Sequence, residues 1–470
     1  MGVGGAAALA SFRLQTSEAA QTGPRNVLWV VDDDHPQYMM ASMPVTRQKI
    51  RNLGIDFTLG SADIPLCGLA RVSLLTGLSV TTHLCDTNGT TWSEYRDSPL
   101  ALQERTVARY VKGVGYATRH FGKYVNGYPS DGTVPPHWDR WCATRGDGSD
   151  AGDNDKTPNQ FNMDGTWVDL PAGLPTSVWA AERCAEFVRE RVASPWFAHY
   201  CPAIPHAPYW PTPDSEHLYD GAMRSVPSVN EADMSDKPTW MRKLPLADTA
   251  TIQQEYEGKM EELADLDSKG MRPILAALEA TGQLANTVIF FTSDNGYLHG
   301  EHRLRKKDQP YWECSEVPFF VKGPGVRSGT TRNTLVNHTD LMPTTCEIAG
   351  VPLASLEVDG RSMLAHLGAA SFSGWRKRML ITGSADVGWE LNPGGSNDPS
   401  GRWWLLREGQ NVFILRENGT KELYSMGTDP YQERSQTRTA DPALIERLLT
   451  SVKDMRAASG ERRRQLEAAP

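Results

Sequence analysis

Residues 26–34 read Asn-Val-Leu-Trp-Val-Val-Asp-Asp-Asp, and this stretch decides the fold. Its first six residues are almost wholly apolar and have the length of a β-strand. An apolar run without alternation is typical of a central strand that is buried on both faces of a sheet. Ligand sites in open α/β sheets gather at the carboxyl ends of the strands. The acids that follow the run therefore indicate a metal site.

A second stretch repeats this pattern about 260 residues later. Residues 287–291 form another apolar run, and it leads directly into Thr-Ser-Asp-Asn-Gly at 292–296. Two buried strands that both end in oxygen ligands are stronger evidence for a metal site than either strand alone. Carboxylate and amide oxygens with no clustered His or Cys suit Ca²⁺ or Mg²⁺ better than Zn²⁺. The expected ligands of one such ion are Asp33, Asp34, Asp294 and Asn295.

The rest of the chain predicts an α/β fold with a second, smaller sheet. Residues 196–200 form another strand-length run, and residues 253–279 carry leucines and an isoleucine at helical spacing. Residues 145–166 predict a surface loop, and residues 211–250, with several prolines and few periodic signals, predict an extended wrap around the site. After about residue 375 the pattern changes to short strands at 378–382, 403–406, 411–415 and 423–424, followed by an amphipathic helix at 442–457. We expect a leader at 1–25, a main domain at 26–375 and a small α+β subdomain at 376–470.

The composition is that of an ordinary globular protein. The chain has 470 residues, of which 39% are hydrophobic and 22% charged, and a net charge of -9. This charge argues against a nucleic-acid partner, which would require a basic face. No apolar run approaches the ~20 residues that would span a bilayer. The seven cysteines show no metal-type spacing, and their odd number leaves at least one thiol unpaired within the chain. Oligomeric state is not readable from the sequence.

The N-terminal leader allows two interpretations. Residues 2–10 are small and weakly apolar, and polar residues follow. This resembles the later part of a bacterial twin-arginine export signal without its basic start, which would place the protein in the periplasm or outside the cell. The alternative is a disordered leader on a cytoplasmic protein. Residues 1–25 are excluded from the fold in either case.

Residues 65–77 read Pro-Leu-Cys-Gly-Leu-Ala-Arg-Val-Ser-Leu-Leu-Thr-Gly and resemble the signature of type I sulfatases. That signature is Cys-x-Pro-x-Arg with a Ser-Leu-Leu-Thr-Gly tail, and its cysteine is oxidised by a formylglycine-generating enzyme to formylglycine, the nucleophile. Cys67, Arg71 and the tail match, whereas Leu69 stands in place of the proline. The resemblance implies an alkaline-phosphatase-like fold with a large mixed sheet between helices.

Further motifs extend the resemblance over residues 26–436. Residues 121–128, Phe-Gly-Lys-Tyr-Val-Asn-Gly-Tyr, are similar to the variant lysine motif of the N-acetylglucosamine-6-sulfatase branch, and Pro-Pro-His-Trp-Asp at 135–139 supports that branch. Pro-His-Ala-Pro at 205–208 is similar to the second histidine motif, and the segment from Gly300 to Lys307 to the second lysine motif. The site residues implied by these motifs, besides Cys67 and Arg71, are Lys123, His206 and Lys307, with His302 as a weaker substrate contact.

The resemblance implies a hydrolase for sulfate monoesters of a sugar or an aryl alcohol. A sulfate monoester carries charge on three peripheral oxygens, and charge moves to the bridging oxygen as the S–O bond breaks. Fixed cations stabilise both ends, which is the role implied for Lys123 and Lys307. Arg71 would hold the nucleophile or the metal-bound acids, and His206 would contact the sulfate and protonate the leaving group.

Leu69 leaves three outcomes open for Cys67. The cysteine is converted by a tolerant enzyme, it stays a thiol whose pKa is lowered by the metal and Arg71, or the site binds sulfated ligands without cleaving them. Two rival functions follow: a phosphate or phosphonate ester hydrolase of the same superfamily, and a non-catalytic protein that binds sulfated glycans.

Overall fold

The computed structural model describes residues 25–129, 131–145, 160–171, 174–190, 192–384 and 401–469. The expected leader, apart from Arg25, lies outside the described residues, as does most of the expected loop at 145–166. The strands of the described part are β1 (Asn26–Asp32), β2 (Ile55–Ser61), β3 (Ala117–Gly122), β4 (Arg140–Thr144), β5 (Gln160–Met163), β6 (Thr166–Asp169), β7 (Trp196–Cys201), β8 (Thr287–Ser293), β9 (Leu298–His299), β10 (Arg305–Lys306), β11 (Phe319–Lys322), β12 (Thr330–Asn337), β13 (Arg378–Thr382), β14 (Trp403–Glu408), β15 (Asn411–Arg416) and β16 (Lys421–Ser425).

The α-helices of the described part are α1 (Pro44–Lys49), α2 (Cys67–Thr76), α3 (Val80–His83), α4 (Thr91–Arg96), α5 (Val107–Gly113), α6 (Thr176–Glu190), α7 (Thr249–Asp265), α8 (Arg272–Ala280), α9 (Trp312–Ser315), α10 (Leu341–Ile348), α11 (Leu364–Leu367), α12 (Pro442–Ala457) and α13 (Gly460–Ala468). A π-helical segment, Leu266–Met271, joins α7 to α8. The helix predicted at 253–279 is therefore confirmed, with this π segment inside it. None of the described helices is long and apolar enough to cross a membrane.

Ten strands form one large sheet in the order β12-β2-β11-β8-β1-β7-β3-β4-β5-β6. The central strand β1 pairs in parallel with β7 on one side and β8 on the other. β11, β5 and β6 run antiparallel to their neighbours, so the sheet is mixed. The strand predicted at 26–31 is confirmed as the centre of this sheet, and all seven residues of β1 are buried.

Helices cover both faces of the sheet. Alternate residues of β1 point to opposite faces, so Trp29 packs with α2, α5 and α10, whereas Val30 packs with α6, α7 and α8. A separate antiparallel sheet, β13-β14-β15-β16, packs against α12. The predicted fold, a large mixed sheet between helices with a small C-terminal sheet and helix, is confirmed. The proposed domain division at about residue 375 falls just before β13.

The expected loop at 145–166 is wrong at its end. β5 and β6 form a hairpin there, and the two-residue turn between them is Asp164-Gly165, with φ of 52° and 97°. Asp-Gly is a strong signal for a turn that needs positive φ at both positions, so this hairpin was readable from the sequence. The segment 211–250 has little regular structure, as its sequence predicts, because the only regular element in it before α7 is a short 3₁₀ helix, Met241–Lys243.

Candidate active site

The ends of β1 and β8 bring four predicted ligands together. The two strands are in register, with Asp32 opposite Ser293, so the residues that follow emerge side by side at one edge of the sheet. The backbone N–H of Asp34 donates to Asp294 Oδ1 at 3.2 Å, and Asn295 Nδ2 donates to Asp34 Oδ1 at 2.7 Å. Asp33, Asp34, Asp294 and Asn295 are all buried.

Cys67 is the first residue of α2 and points at these acids. Its Sγ lies 3.4 Å from Asp33 Oδ1 and 3.9 Å from Asp34 Oδ1. The next backbone N–H, that of Gly68, donates to Asn88 Oδ1 at 2.9 Å. This bond satisfies one of the donors that a helix leaves free at its first turn, and it fixes the helix end that carries Cys67.

Arg71 follows Cys67 by one helical turn and connects the acids to the backbone of Lys123, the residue after β3. Its Nε donates to Asp294 Oδ2 at 2.9 Å, and its Nη2 lies 3.3 Å from Asp33 Oδ2. Its Nη1 donates to the backbone carbonyl of Lys123 at 3.1 Å. The spacing Cys-x-x-x-Arg therefore places both side chains on the same face of α2, towards the carboxylates.

Two buried lysines complete the cluster. Lys123 follows β3 and its Nζ lies 2.8 Å from Asp33 Oδ2. Lys307 reaches the cluster from the other side, with its Nζ 2.7 Å from both Asp34 Oδ1 and Cys67 Sγ. Both lysines are only 2% exposed, so their charges act in a region from which water is largely excluded.

His206 lies at the rim of the cluster. A quarter of its side chain is exposed, and its Nε2 lies 3.9 Å from Asp34 Oδ2. Its Nδ1 is 2.7 Å from the carbonyl oxygen of Ala207, which can only accept, so Nδ1 carries a proton. The other ring nitrogen, Nε2, is therefore the one that faces the acids.

The structure places His302 apart from this cluster. Its side chain is fully buried, its Nδ1 is 2.6 Å from Glu231 Oε2, and its ring packs against Tyr311 with 3.9 Å between centroids. Burial lowers the pKa of His302 to about 3, with Lys237 adding to the effect. A neutral, fully buried ring offers no surface to a substrate. His302 therefore matches the sequence motif but lies in the core, where it contacts Glu231 and Tyr311.

The charges of the cluster are strongly perturbed. Burial opposes ionisation of Asp33 and Asp34, yet the nearby cations keep the pKa of both below the ordinary value, Lys123 most at Asp33 and Lys307 most at Asp34. Burial and the charge of Asp33 raise the pKa of Asp294 to about 7. Burial, with Asp294 and Asp33, also raises the pKa of the Cys67 thiol.

The donor set fits a hard divalent cation. Three carboxylates and one amide converge, and Asn295 Oδ1 is buried without a hydrogen-bond partner among the described residues. An orphaned buried oxygen costs free energy unless something binds it, and a cation bound between Asn295 and the carboxylates would remove that cost. Ligand atoms of Asp33, Asp34, Cys67 and His206 also lie within 4.8 Å of one another.

Sequence reasoning missed one charged residue next to the cluster. Lys259 of α7 is fully buried, and its Nζ donates to the backbone carbonyls of Asp34 at 3.1 Å and Pro205 at 2.8 Å. Its position was a readable signal, because it lies on the same helical face as Ile252 and Leu263, which belong to the apolar core. A lysine on an apolar face needs a buried partner.

Solved structures of low sequence identity share this fold. One protein, solved in complex with its substrate D-glucosamine-2-N,6-O-disulfate, is 19% identical with a TM-score of 0.74, over 93% of this chain and 98% of the other. The phosphonate monoester hydrolase of Silicibacter pomeroyi is also 19% identical, with a TM-score of 0.69, over 92% of this chain and 94% of the other. The fold class is thus that of the alkaline-phosphatase-like α/β proteins.

The family model "Sulfatase" matches residues 25–351, and the chain therefore belongs to the sulfatase family. The family resemblance read from the motifs is confirmed. A Sulf-1 homologue of Caenorhabditis elegans is 28% identical over 72% of this chain, but the chain spans only 48% of that relative. The N-acetylglucosamine-6-sulfatase of Capra hircus is 26% identical over 95% of this chain and 86% of its own length.

Proposed function

We propose that the protein hydrolyses sulfate monoesters of amino sugars, with Cys67 as the origin of the nucleophile. One observation carries the proposal: Cys67 Sγ lies within 4 Å of the carboxylates of Asp33 and Asp34 while the buried ammonium of Lys307 contacts it at 2.7 Å. An anionic group presented to Cys67 would meet the charges of Lys123 and Lys307 in a water-poor environment, where electrostatic stabilisation is strongest. The net reaction is R–O–SO₃⁻ with water, giving R–OH and hydrogen sulfate.

The side chains divide the work of this reaction. Lys123 and Lys307 would neutralise the sulfate oxygens, and Arg71 holds Asp33 and Asp294 in place through direct bonds. As the S–O bond breaks, the electron pair goes to the bridging oxygen. His206 Nε2, held at the rim, would supply the proton that turns this oxygen into the hydroxyl of the released sugar.

Two groups that the family implies fit these residues. Asp33, Asp34, Asp294 and Asn295 would hold a Ca²⁺ or Mg²⁺ ion, which when bound would orient the nucleophile and polarise a sulfate oxygen. Oxidation of Cys67 to formylglycine by a maturation enzyme would supply a hydroxyl nucleophile that can later expel sulfate. The second outcome, a thiol of lowered pKa, has less support, because burial and two carboxylates act on Cys67 in the opposite direction.

The sugar part of the substrate is inferred from relatives. The Capra hircus relative, which aligns with nearly the whole chain, is an N-acetylglucosamine-6-sulfatase. A structural neighbour was solved with D-glucosamine-2-N,6-O-disulfate as its substrate. Both names point to a sulfated glucosamine, which agrees with the variant lysine motif at 121–128.

The rival function is phosphonate ester hydrolysis, the activity in the name of the Silicibacter pomeroyi neighbour. Parallel assays with nitrophenyl sulfate, nitrophenyl phosphate and a phosphonate monoester would separate the classes. We expect the sulfate to give the highest kcat/KM and Asp294→Asn to lose at least ~100-fold, since even supporting residues of a metal site contribute 10–100-fold. A higher kcat/KM for the phosphonate would favour the rival, and no turnover of any ester would favour a binding protein.

A further inference from the structure

Lys259 is a buried cation whose hydrogen bonds go to backbone carbonyls. Its Nζ donates to the carbonyls of Asp34 and Pro205, lies over the Tyr297 ring at 4.0 Å, and is 3.9 Å from Asp34 Oδ2. Burying an ammonium group is costly unless it is hydrogen-bonded. Its two acceptors belong to the two segments that carry a predicted metal ligand and the predicted proton donor. The ammonium therefore joins the turn after β1 to the segment that contains His206.

The same face of α7 holds the segment that follows His206. A Cβ on Gly258 would lie 2.5 Å from Cγ of Tyr209, so only glycine lets the Tyr209 ring rest on the helix. One turn later, Glu262 Oε1 accepts from the N–H of Trp210 at 2.8 Å. One turn beyond that, Asp265 accepts from the N–H of Thr212 at 2.6 Å. Residues 205–212 are thus docked along a single strip of α7.

His206 depends on this docking for its orientation. Its backbone N–H donates to the carbonyl of Ala203 at 3.1 Å, and the carbonyl of the residue before it is the one that Lys259 binds. With Nδ1 held by its own neighbour Ala207, the ring can present Nε2 to the site only while the segment stays in place. Among the hydrogen bonds of the described residues, that of Lys259 is the only one from α7 to the peptide unit directly before His206.

We propose that Lys259 is a positioning residue that, through the carbonyl of Pro205, holds His206 Nε2 where it protonates the leaving oxygen. The inference rests on the proposed sulfatase function. Lys259 does not touch the reacting atoms. Its effect must therefore depend on how much the leaving group needs a proton. A sugar alkoxide needs one, whereas nitrophenolate leaves readily without one.

The test compares Lys259→Met with the wild type on two esters. We expect kcat/KM for N-acetylglucosamine 6-sulfate to fall by about 100-fold, the scale of general acid catalysis, and that for nitrophenyl sulfate by less than about tenfold. Lys237→Met is the matched control, because Lys237 is equally buried and pairs with Glu231 and Asp236. This control should lower Tm without changing the ratio between the two esters.

Three further measurements keep the inference falsifiable. Lys259→Met should add little to His206→Ala on the sugar sulfate, since two residues that act as one unit are non-additive. Gly258→Ala, which must displace Tyr209, should change the substrate ratio in the same direction. Nitrogen-15 histidine NMR should show a proton fixed on Nδ1 of His206 in the wild type, alone in the neutral ring and together with the Nε2 proton in the charged ring that acts as the acid. In Lys259→Met the neutral ring should be a mixture of tautomers.

The outcomes separate this inference from the proposed function. Wild-type protein whose Cys67 is converted to formylglycine and that cleaves neither ester overturns the sulfatase proposal, while the NMR comparison still decides whether Lys259 orients His206. Equal losses on both esters, full additivity with His206→Ala, or an unchanged Nδ1–H signal in Lys259→Met would each overturn the positioning role.

Discussion

Leu69 is fully buried and occupies the third position of α2, two residues after the fully buried Cys67. Neither side chain can be reached by a second protein in this structure. A maturation enzyme that converts Cys67 would therefore have to meet residues 67–71 before the chain folds, when only their sequence matters. We therefore expect Leu69 to affect recognition of the signature and not the geometry of the finished site.

Leu69→Pro should raise the formylglycine content of Cys67. Proline fits the first turn of a helix, where the backbone N–H has no acceptor within the helix. The smaller ring leaves space in the core, so the free energy of unfolding should fall by only about 1–3 kcal/mol. Mass spectrometry of the tryptic peptide 52–71 would measure the exchange of sulfur for oxygen. An unchanged fraction in a folded variant would show that Leu69 is not the barrier to conversion.

Most of the site could be predicted because each residue stands in a local motif. Cys67 and Arg71 share one helix, and Asp33 and Asp294 each follow a buried strand. Lys259 could not be assigned a partner, because it binds backbone carbonyls that no sequence pattern identifies. His302 shows the converse, since a motif match did not reveal that its ring pairs with Glu231 in the core.

At the scale of elements, the position of Lys123 depends on the close approach of β3 to β7. Gly122 ends β3 with φ of 105°, and a Cβ there would lie 2.0 Å from the carbonyl oxygen of Cys201 on β7. That carbonyl also accepts from the N–H of Lys123 at 2.8 Å. Glycine is thus required at 122 both by the backbone angle and by the space, and the position of Lys123 depends on it.

Gly122→Ala should lower the free energy of unfolding by more than ~3 kcal/mol, because backbone strain and a backbone clash add. Gly115→Ala is the matched control, since Gly115 has φ of 94° but no atom within 4 Å of an added Cβ. It should cost only about 1–2 kcal/mol. Urea unfolding of both variants would measure the difference. Equal losses would mean that the approach of β7 does not constrain this position.

The elements that sequence patterns located best are those with strong periodicity. The amphipathic helix expected at 442–457 is α12 with the same bounds, and the apolar runs became β1, β7 and β8. Pairing order was not readable, because β1 lies between strands that come about 170 and 260 residues later. Such contacts are decided by packing of whole faces and not by local pattern.

At the scale of the whole molecule, one largely buried arginine, Arg224, lies between two buried acids, Glu301 and Glu313. Arg224 Nε lies 2.5 Å from Glu301 Oε1, and its Nη2 lies 3.7 Å from Glu313 Oε1. Burial, followed by the charge of Glu301, raises the pKa of Glu313 from 4.5 to about 8. Folded protein therefore keeps a proton on Glu313 that the unfolded chain releases above pH 4.5. The contribution of this bound proton to the free energy of unfolding is fully present below pH 4.5 and is lost as the pH rises to about 8.

Glu313→Gln, which is neutral at every pH, should therefore gain stability relative to the wild type as the pH rises. The gain should approach about 1.4 kcal/mol per pH unit between pH 5.5 and 7.5. Urea unfolding at these pH values would measure it, with Glu446→Gln on the exposed face of α12 as the control. A constant difference between variant and wild type would show that Glu313 is already ionised in the folded protein.

The central claim is that the cluster around Cys67 cleaves sulfate esters. It is tested most directly by the release of inorganic sulfate from N-acetylglucosamine 6-sulfate, with Ca²⁺ present, by the wild type and by Cys67→Ala. We predict sustained release by protein that carries formylglycine at Cys67, and none above background by the variant. Equal release by both, or none by folded protein whose Cys67 is fully converted, would contradict the claim.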